Sequence, residues 1–269
     1  MNIKRVTTAL IGFPLVALVL IFGNIYIVDI AFSIIAIMAL YEYFHAFKSK
    51  EKASPVKWIG YVLAAAISLI HVIPTEYTKN ALQLLLPSIV VVLFLMVIVS
   101  DMKINVKDIA ITLLGIIYIL GFIVFLPMLR GTSNGIYWIW YIIFAAWGTD
   151  IFAYLIGKKF GKHKFSKISP NKSVEGCIAG VIGAVVATLG YTAALNYFAD
   201  FHISYVYMLL VGIALSVLSQ IGDFAASSIK RYVDLKDFSN LIPGHGGMLD
   251  RIDSLIFIAP FAYFLLRIL

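Results

Sequence analysis

The chain has 269 residues, of which 62% are hydrophobic and 13% charged, with a formal net charge of +7. A soluble domain carries roughly 25% charged residues, so a water-soluble globule of this length is excluded. The apolar residues fall in long blocks, and the expected fold is all-α: a polytopic integral membrane protein. The single cysteine, Cys177, excludes an intramolecular disulfide and a Cys-rich zinc site. It reads as a small apolar residue within a helix.

The first residues, Met1-Asn2-Ile3-Lys4-Arg5 before an apolar run, have the outline of a signal peptide. No small-x-small cleavage site precedes Gly23-Asn24, and a second apolar run follows at once, so a retained first helix is expected. A membrane span needs about 20 mainly apolar residues. That length predicts about nine transmembrane helices, over 7–24, 27–47, 57–74, 81–99, 108–129, 136–157, 176–197, 204–223 and 250–268. Only Gly23-Asn24 separates the first two, and the last carries Pro260. The expected organisation is a single membrane domain, 1–269. Spans one to five lie in 1–135, with the catalytic helices and loops in 136–269.

With nine spans and a cytosolic amino terminus, the carboxyl terminus lies on the opposite side. The basic residues then divide sharply. Lys4, Arg5, Lys48, Lys50, Lys52, Lys57, Lys103 and Lys107 are cytosolic, as are Lys158, Lys159, Lys162, Lys164, Lys167 and Lys172. Lys230, Arg231, Lys236 and Arg251 join them, leaving Lys79, Arg130 and Arg267 opposite. Lys/Arg bias in short loops sets orientation, and this division supports both the orientation and the span count. It also removes nucleic acid as a partner, because the excess charge orients the chain in its membrane.

Ionisable groups inside spans mark functional sites by default. Asp150 lies eight residues before Lys158, about 12 Å below the cytosolic boundary at the helical rise. A carboxylate at that depth needs a cation, a metal or a watery cavity. Ser219, Asp223 and Ser227 recur every four residues, with Lys230 three further on, so they share one helical face. Acid at depth and base at the top suits a metal below and phosphates above. Asp250 and Asp253, at i and i+3 around Arg251, open the last span; capping alone needs one acid there. Glu42, near the cytosolic end of the second span, reads as a residue that snorkels. If the acids of spans six, eight and nine converge, their hard oxygens favour Mg²⁺, which implies a phosphate-bearing substrate.

The two longest non-spanning segments, about 158–175 and 224–249, are both assigned to the cytosolic face. The first holds six lysines but no P-loop spacing. Its end, Ser169-Pro170-Asn171-Lys172-Ser173-Val174-Glu175-Gly176, pairs a lysine with helix-start chemistry, itself an anion site. The second runs from Ser227 through Lys230-Arg231, Lys236-Asp237-Phe238-Ser239 and Pro243-Gly244-His245-Gly246-Gly247 to Asp250-Arg251-Ile252-Asp253. Gly246 and Gly247 allow a tight turn and close approach of backbone to a phosphate. His245 has two readings, orienting a phosphate or moving a proton, and a structural one beside them.

Ser227 to Asp253 closely resembles the signature of phosphatidate cytidylyltransferases, also called CDP-diacylglycerol synthases. That signature is S-x-apolar-K-R, four residues, K-D-x-small, two residues, apolar-P-x-H-G-G-apolar-x-D-R-apolar-D, and every fixed position is matched. Trp147 to Tyr154 and Ser169 to Gly176 resemble the family's preceding blocks, with Asn171 where a lysine is expected. The detailed resemblance covers about 150 to 260; the amino-terminal half shares hydropathy and length.

The resemblance implies transfer of a cytidylyl group from CTP to phosphatidic acid, giving CDP-diacylglycerol and pyrophosphate. It implies Mg²⁺ and allows a second cation such as K⁺. Asp223 and Asp250 would then hold the metal, with Asp150 and Asp253 as nearby ligands or orienters. Lys172, Lys230, Arg231, Lys236 and Arg251 would neutralise the nucleotide and the lipid headgroup, with Ser169, Ser173, Ser219, Ser227, Gly246 and Gly247 lining the substrates. The implied setting is the inner (cytoplasmic) membrane, with the site facing the cytosol and a homodimer as the assembly. Two rivals are an anion transporter and a CTP-dependent lipid-alcohol kinase. Transporters place binding groups near the midplane of repeated halves, whereas here they gather towards one face. The kinase would release CDP instead of pyrophosphate.

Overall fold

Hydropathy in blocks of about twenty residues is realised as a series of long helices. The computed structural model describes residues 3–166, 168–242, 244 and 246–269. The helices are α1 (Ile3–Phe22), α2 (Ile25–Ser49), α3 (Lys57–Ala66), α4 (Thr75–Val99), α5 (Val106–Arg130), α6 (Gly135–Phe160), α7 (Val174–Phe198), α8 (Tyr205–Tyr232) and α9 (Leu249–Leu266). Each expected interval overlaps one of them, the third only in part. The all-α membrane class is thereby met, and α2, α5, α6, α7 and α8 are long and apolar enough to cross a bilayer.

Local chemistry sets several boundaries. Gly23 N–H donates to Val19 O at 3.0 Å, and Asn24 Oδ1 accepts from Ile27 N–H at 2.9 Å. That tight turn divides α1 from α2 where the sequence offered only two residues. α3 passes into a 3₁₀ turn, Ile67–Leu69, and stops there, although the apolar run continues to Ile73. From Lys57 to Leu69 the rise is about 20 Å, short of the roughly 30 Å hydrocarbon core. α5 contains a π-helical stretch, Ile116–Leu120.

The chain divides into two compact units: Met1–Gly131 with Tyr232–Arg251, and Thr132–Arg231 with Ile252–Leu269. In the first, α2 is the central helix, and Tyr43, Phe44 and Phe47 are buried on it. The start of α5 carries a capping box between Asn105 and Asp108. Asp108 also accepts from Ser54 N–H at 2.6 Å, and Thr112 Oγ1 from Val56 N–H at 2.9 Å, tying the α2–α3 connection to α5. Asp29, fully buried on α2, meets His71 Nδ1 at 2.9 Å through both oxygens.

The second unit is built on the α6–α7 pair. A Cβ on Gly148 would lie 2.8 Å from Gly183 O, and one on Gly180 would lie 3.0 Å from Thr149 O. Small residues in register let the two backbones meet, the usual device between helices that gain nothing from expelling water. Buried hydroxyls add cross-links: Thr149 Oγ1 to Ser216 Oγ at 2.7 Å, and Tyr141 OH to Thr192 Oγ1 at 2.9 Å.

Candidate active site

In the second unit the serine–aspartate stripe on α8 is the organising element. Gly222 precedes Asp223, and a Cβ there would fall 2.5 Å from Phe257 Cβ and 2.8 Å from Asp253 O. The missing side chain lets α9 run against α8 at the level of the two acids. Asp253 is buried and interacts electrostatically with Asp223, Asp150 and Lys230. Asp223 on α8 and Asp150 on α6 thus both lie within electrostatic range of Asp253 on α9. Ser219, one turn before Asp223, is buried, and its Oγ has no hydrogen-bond partner among the described residues.

The lysine-rich segment folds back on itself. Phe165 N–H donates to Lys172 O at 3.1 Å, Val174 N–H to His163 O at 2.9 Å, and Lys164 and Ser173 form an antiparallel bridge. Lys172 N–H donates to Ser169 O at 3.1 Å, closing the turn at its tip. Ser173 is the N-cap of α7, its Oγ accepting from Gly176 N–H at 3.1 Å. This places Ser169 and Ser173 in the scaffold of the hairpin, a structural use of two residues expected to line substrate.

The hairpin delivers Lys172 to α8. Its ammonium forms an ion pair with Asp223 and lies 4.5 Å from the centre of the Phe224 ring. Phe224 in turn stacks on Phe165, with ring centres 4.8 Å apart. Of the other expected cations here, Lys230 is 9% exposed, and Arg231 Nε lies 3.5 Å from Ile168 O. Ser227 is half-buried one turn beyond Asp223.

The remaining site residues belong to the first unit. Glu42 is buried at 1% exposure and does not snorkel. Its Oε1 accepts from Ser239 Oγ at 2.6 Å and Met248 N–H at 2.8 Å, and its Oε2 from Leu249 N–H at 2.8 Å. It therefore caps the start of α9 from roughly two hundred residues away, a role that sequence spacing could not reveal. Asp250 Oδ2 accepts from Phe238 N–H at 2.8 Å and Gly247 N–H at 3.1 Å, holding the loop before α9. Gly246 has φ +90°, a left-handed conformation that suits glycine. A Cβ on Gly247 would lie 2.5 Å from Glu42 Oε2. Both glycines thus serve a tight turn around carboxylates. Lys236 and Arg251 are exposed, and His245 lies outside the described residues.

The oxygen donors of the second unit fit Mg²⁺ in kind. Asp223, Asp253 and Asp150 are hard ligands whose mutual repulsion a divalent cation would relieve, and the orphan Ser219 hydroxyl is a further oxygen. Among the described residues no three His, Cys, Asp or Glu side chains are grouped as a ready-made ligand set. The basic partner on Asp223 is Lys172.

A sequence model of the cytidylyltransferase family matches residues 3–269. The chain belongs to that family of membrane enzymes. It is 32% identical over 268 residues to a phosphatidate cytidylyltransferase of Staphylococcus aureus (strain COL), covering 97% of this chain and 98% of the relative. Against the protein of that name from Staphylococcus haemolyticus it is 32% identical over 264 residues, with the same coverage. With its counterpart from Bacillus subtilis (strain 168) it shares 43% identity over 160 residues, 59% of this chain and 58% of the relative.

Proposed function

We infer that the chain transfers a cytidylyl group from CTP to phosphatidate, forming CDP-diacylglycerol and releasing pyrophosphate. Membership of the cytidylyltransferase family and full-length similarity to phosphatidate cytidylyltransferases support this reading. The observation that carries it at the site is the Lys172–Asp223 pair beside Asp253 and Lys230, a cluster that combines metal-type oxygens with phosphate-type cations.

In the reaction an oxygen of the lipid phosphate attacks the α-phosphorus of CTP, and the bond to the pyrophosphate leaving group breaks. The lipid phosphate is ionised at neutral pH, so the protein needs no strong base. Its work is alignment and charge neutralisation. Lys172, Lys230 and Arg231 neutralise phosphate oxygens, and Lys236 and Arg251 offer two further cationic groups. Asp223, Asp253 and Asp150 would hold Mg²⁺, which when bound supplies Lewis-acid stabilisation of charge on the phosphates. Lys172 has two roles: counter-ion to Asp223 before the nucleotide arrives, and phosphate ligand once Asp223 is engaged elsewhere.

The same reading has the site facing the cytosol, supported by the lysine and arginine division among the loops. It includes a homodimer and a second cation such as K⁺, for which the family resemblance is the support. The test uses purified protein with Mg²⁺, CTP and phosphatidate. Pyrophosphate release and CMP incorporation into lipid are expected, and Asp223→Asn should reduce both by about 100-fold or more while leaving the protein folded. Release of CDP would instead favour the lipid-alcohol kinase, and absence of both products overturns the reading.

A further inference from the structure

The second unit contains a groove of about 500 Å³, within the roughly 300–1,000 Å³ usual for small-molecule sites. Its walls come from the hairpin, α7 and α8, and they are almost wholly apolar. Phe165 comes from the hairpin, Cys177 and Val181 from α7, and Val217, Ile221 and Phe224 from α8. Ile178 and Ile221 are exposed along it, so the groove is open to an apolar ligand from outside the helix bundle.

The groove's position names its occupant. Phe224 is both groove wall and the ring beneath the Lys172 ammonium. Ile168, another wall residue, has its carbonyl 3.5 Å from Arg231 Nε. Two cations therefore lie against residues that line the groove. A phosphomonoester carries about −1.5 to −2 charge near neutral pH, so two cations beside an apolar groove match a phosphate joined to a hydrocarbon chain. A nucleotide is a poor fit to the slot itself, whose polar lining is confined to Ser166 and Gln220, the latter already donating to Cys177 O at 3.1 Å.

We propose that this groove between the lysine hairpin, α7 and α8 holds an acyl chain of the phosphatidate substrate, with Lys172 and Arg231 receiving its phosphate. The proposal rests on the cytidylyltransferase reading above and adds where the lipid lies.

Cys177, the single cysteine, reports on occupancy without any mutation. The wild-type protein in detergent micelles is treated with N-ethylmaleimide, and the rate of Cys177 modification is followed by mass spectrometry. Dioleoyl phosphatidate should slow modification about tenfold, whereas dioleoyl phosphatidylcholine at equal concentration should not. In parallel, Val181→Trp should raise KM for dioleoyl phosphatidate about tenfold, leave KM for CTP unchanged, and affect dihexanoyl phosphatidate much less. Equal protection by both lipids, or no protection from phosphatidate in protein that makes CDP-diacylglycerol, overturns the groove assignment. A wild-type protein that makes no CDP-diacylglycerol overturns the underlying reading instead.

Discussion

At the scale of single residues, Glu42 shows how one carboxylate can hold a distant loop. Its two oxygens accept from Ser239, Met248 and Leu249, and all three donors come from the segment that opens α9. Glu42→Gln keeps one acceptor oxygen but turns an NH₂ towards a backbone N–H, leaving a buried donor unmet. The expected cost is about 1–3 kcal/mol, read as a lowered Tm in detergent, with Glu42→Ala costing more. An unchanged Tm in both variants would remove Glu42 from this role. Residue chemistry was only partly legible in the sequence. The Ser219–Asp223–Ser227 stripe is local, so helical periodicity exposed it. Glu42 looked like a snorkelling acid because its partners lie beyond residue 238. Asp29 escaped notice for the same reason, since its partner His71 lies forty-two residues on.

Among the elements, the contact between α8 and α9 decides whether the acids meet. Gly222 lies against Phe257 and the Asp253 carbonyl with no space for a methyl group. Gly222→Val should therefore push the helices apart, at a cost of about 1–3 kcal/mol, and lower turnover further than the stability loss explains. Cytidylyl transfer and Tm measured on the same preparation separate the two effects. Wild-type turnover in Gly222→Val would show that the spacing of these helices is not needed. The helices themselves were readable, because a membrane segment must carry its apolar signal within about twenty consecutive residues. The extent of α3 was less so. Its apolar run to Ile73 matches a span in composition, but the helix has given way to a 3₁₀ turn by Leu69, an outcome that composition does not encode.

For the whole molecule, the uneven distribution of lysine and arginine makes a topological prediction. In a Cys177→Ser background, Lys162→Cys should react with a membrane-impermeant maleimide only from the cytosolic side. Ser133→Cys, in the connection between α5 and α6, should react only from the other. Labelling of both from the same side would overturn the expected orientation. Hydropathy gave the class at this scale because it is summed over long stretches, and the charge bias, summed in the same way, supplies the orientation that this labelling tests. They carried no information on how the chain divides. Residues 232–251 join the first unit, and Ile252 onward joins the second, so the boundary falls inside the motif that reads as continuous in sequence.

The ion pair of Lys172 with Asp223 has a consequence for the order of events. A bare divalent ion entering alone must displace an ammonium that then has no anion to receive it, so its binding is penalised. On the proposed reading, a divalent ion arriving together with the phosphate-bearing substrates would bring that anion with it, and the displaced lysine would pass from carboxylate to phosphate. On that reading the pair would act as a filter against loading with metal alone, and cation and phosphate-bearing substrate would be mutually dependent ligands. The empty enzyme, in this view, stays electrically settled until a complete substrate complex arrives.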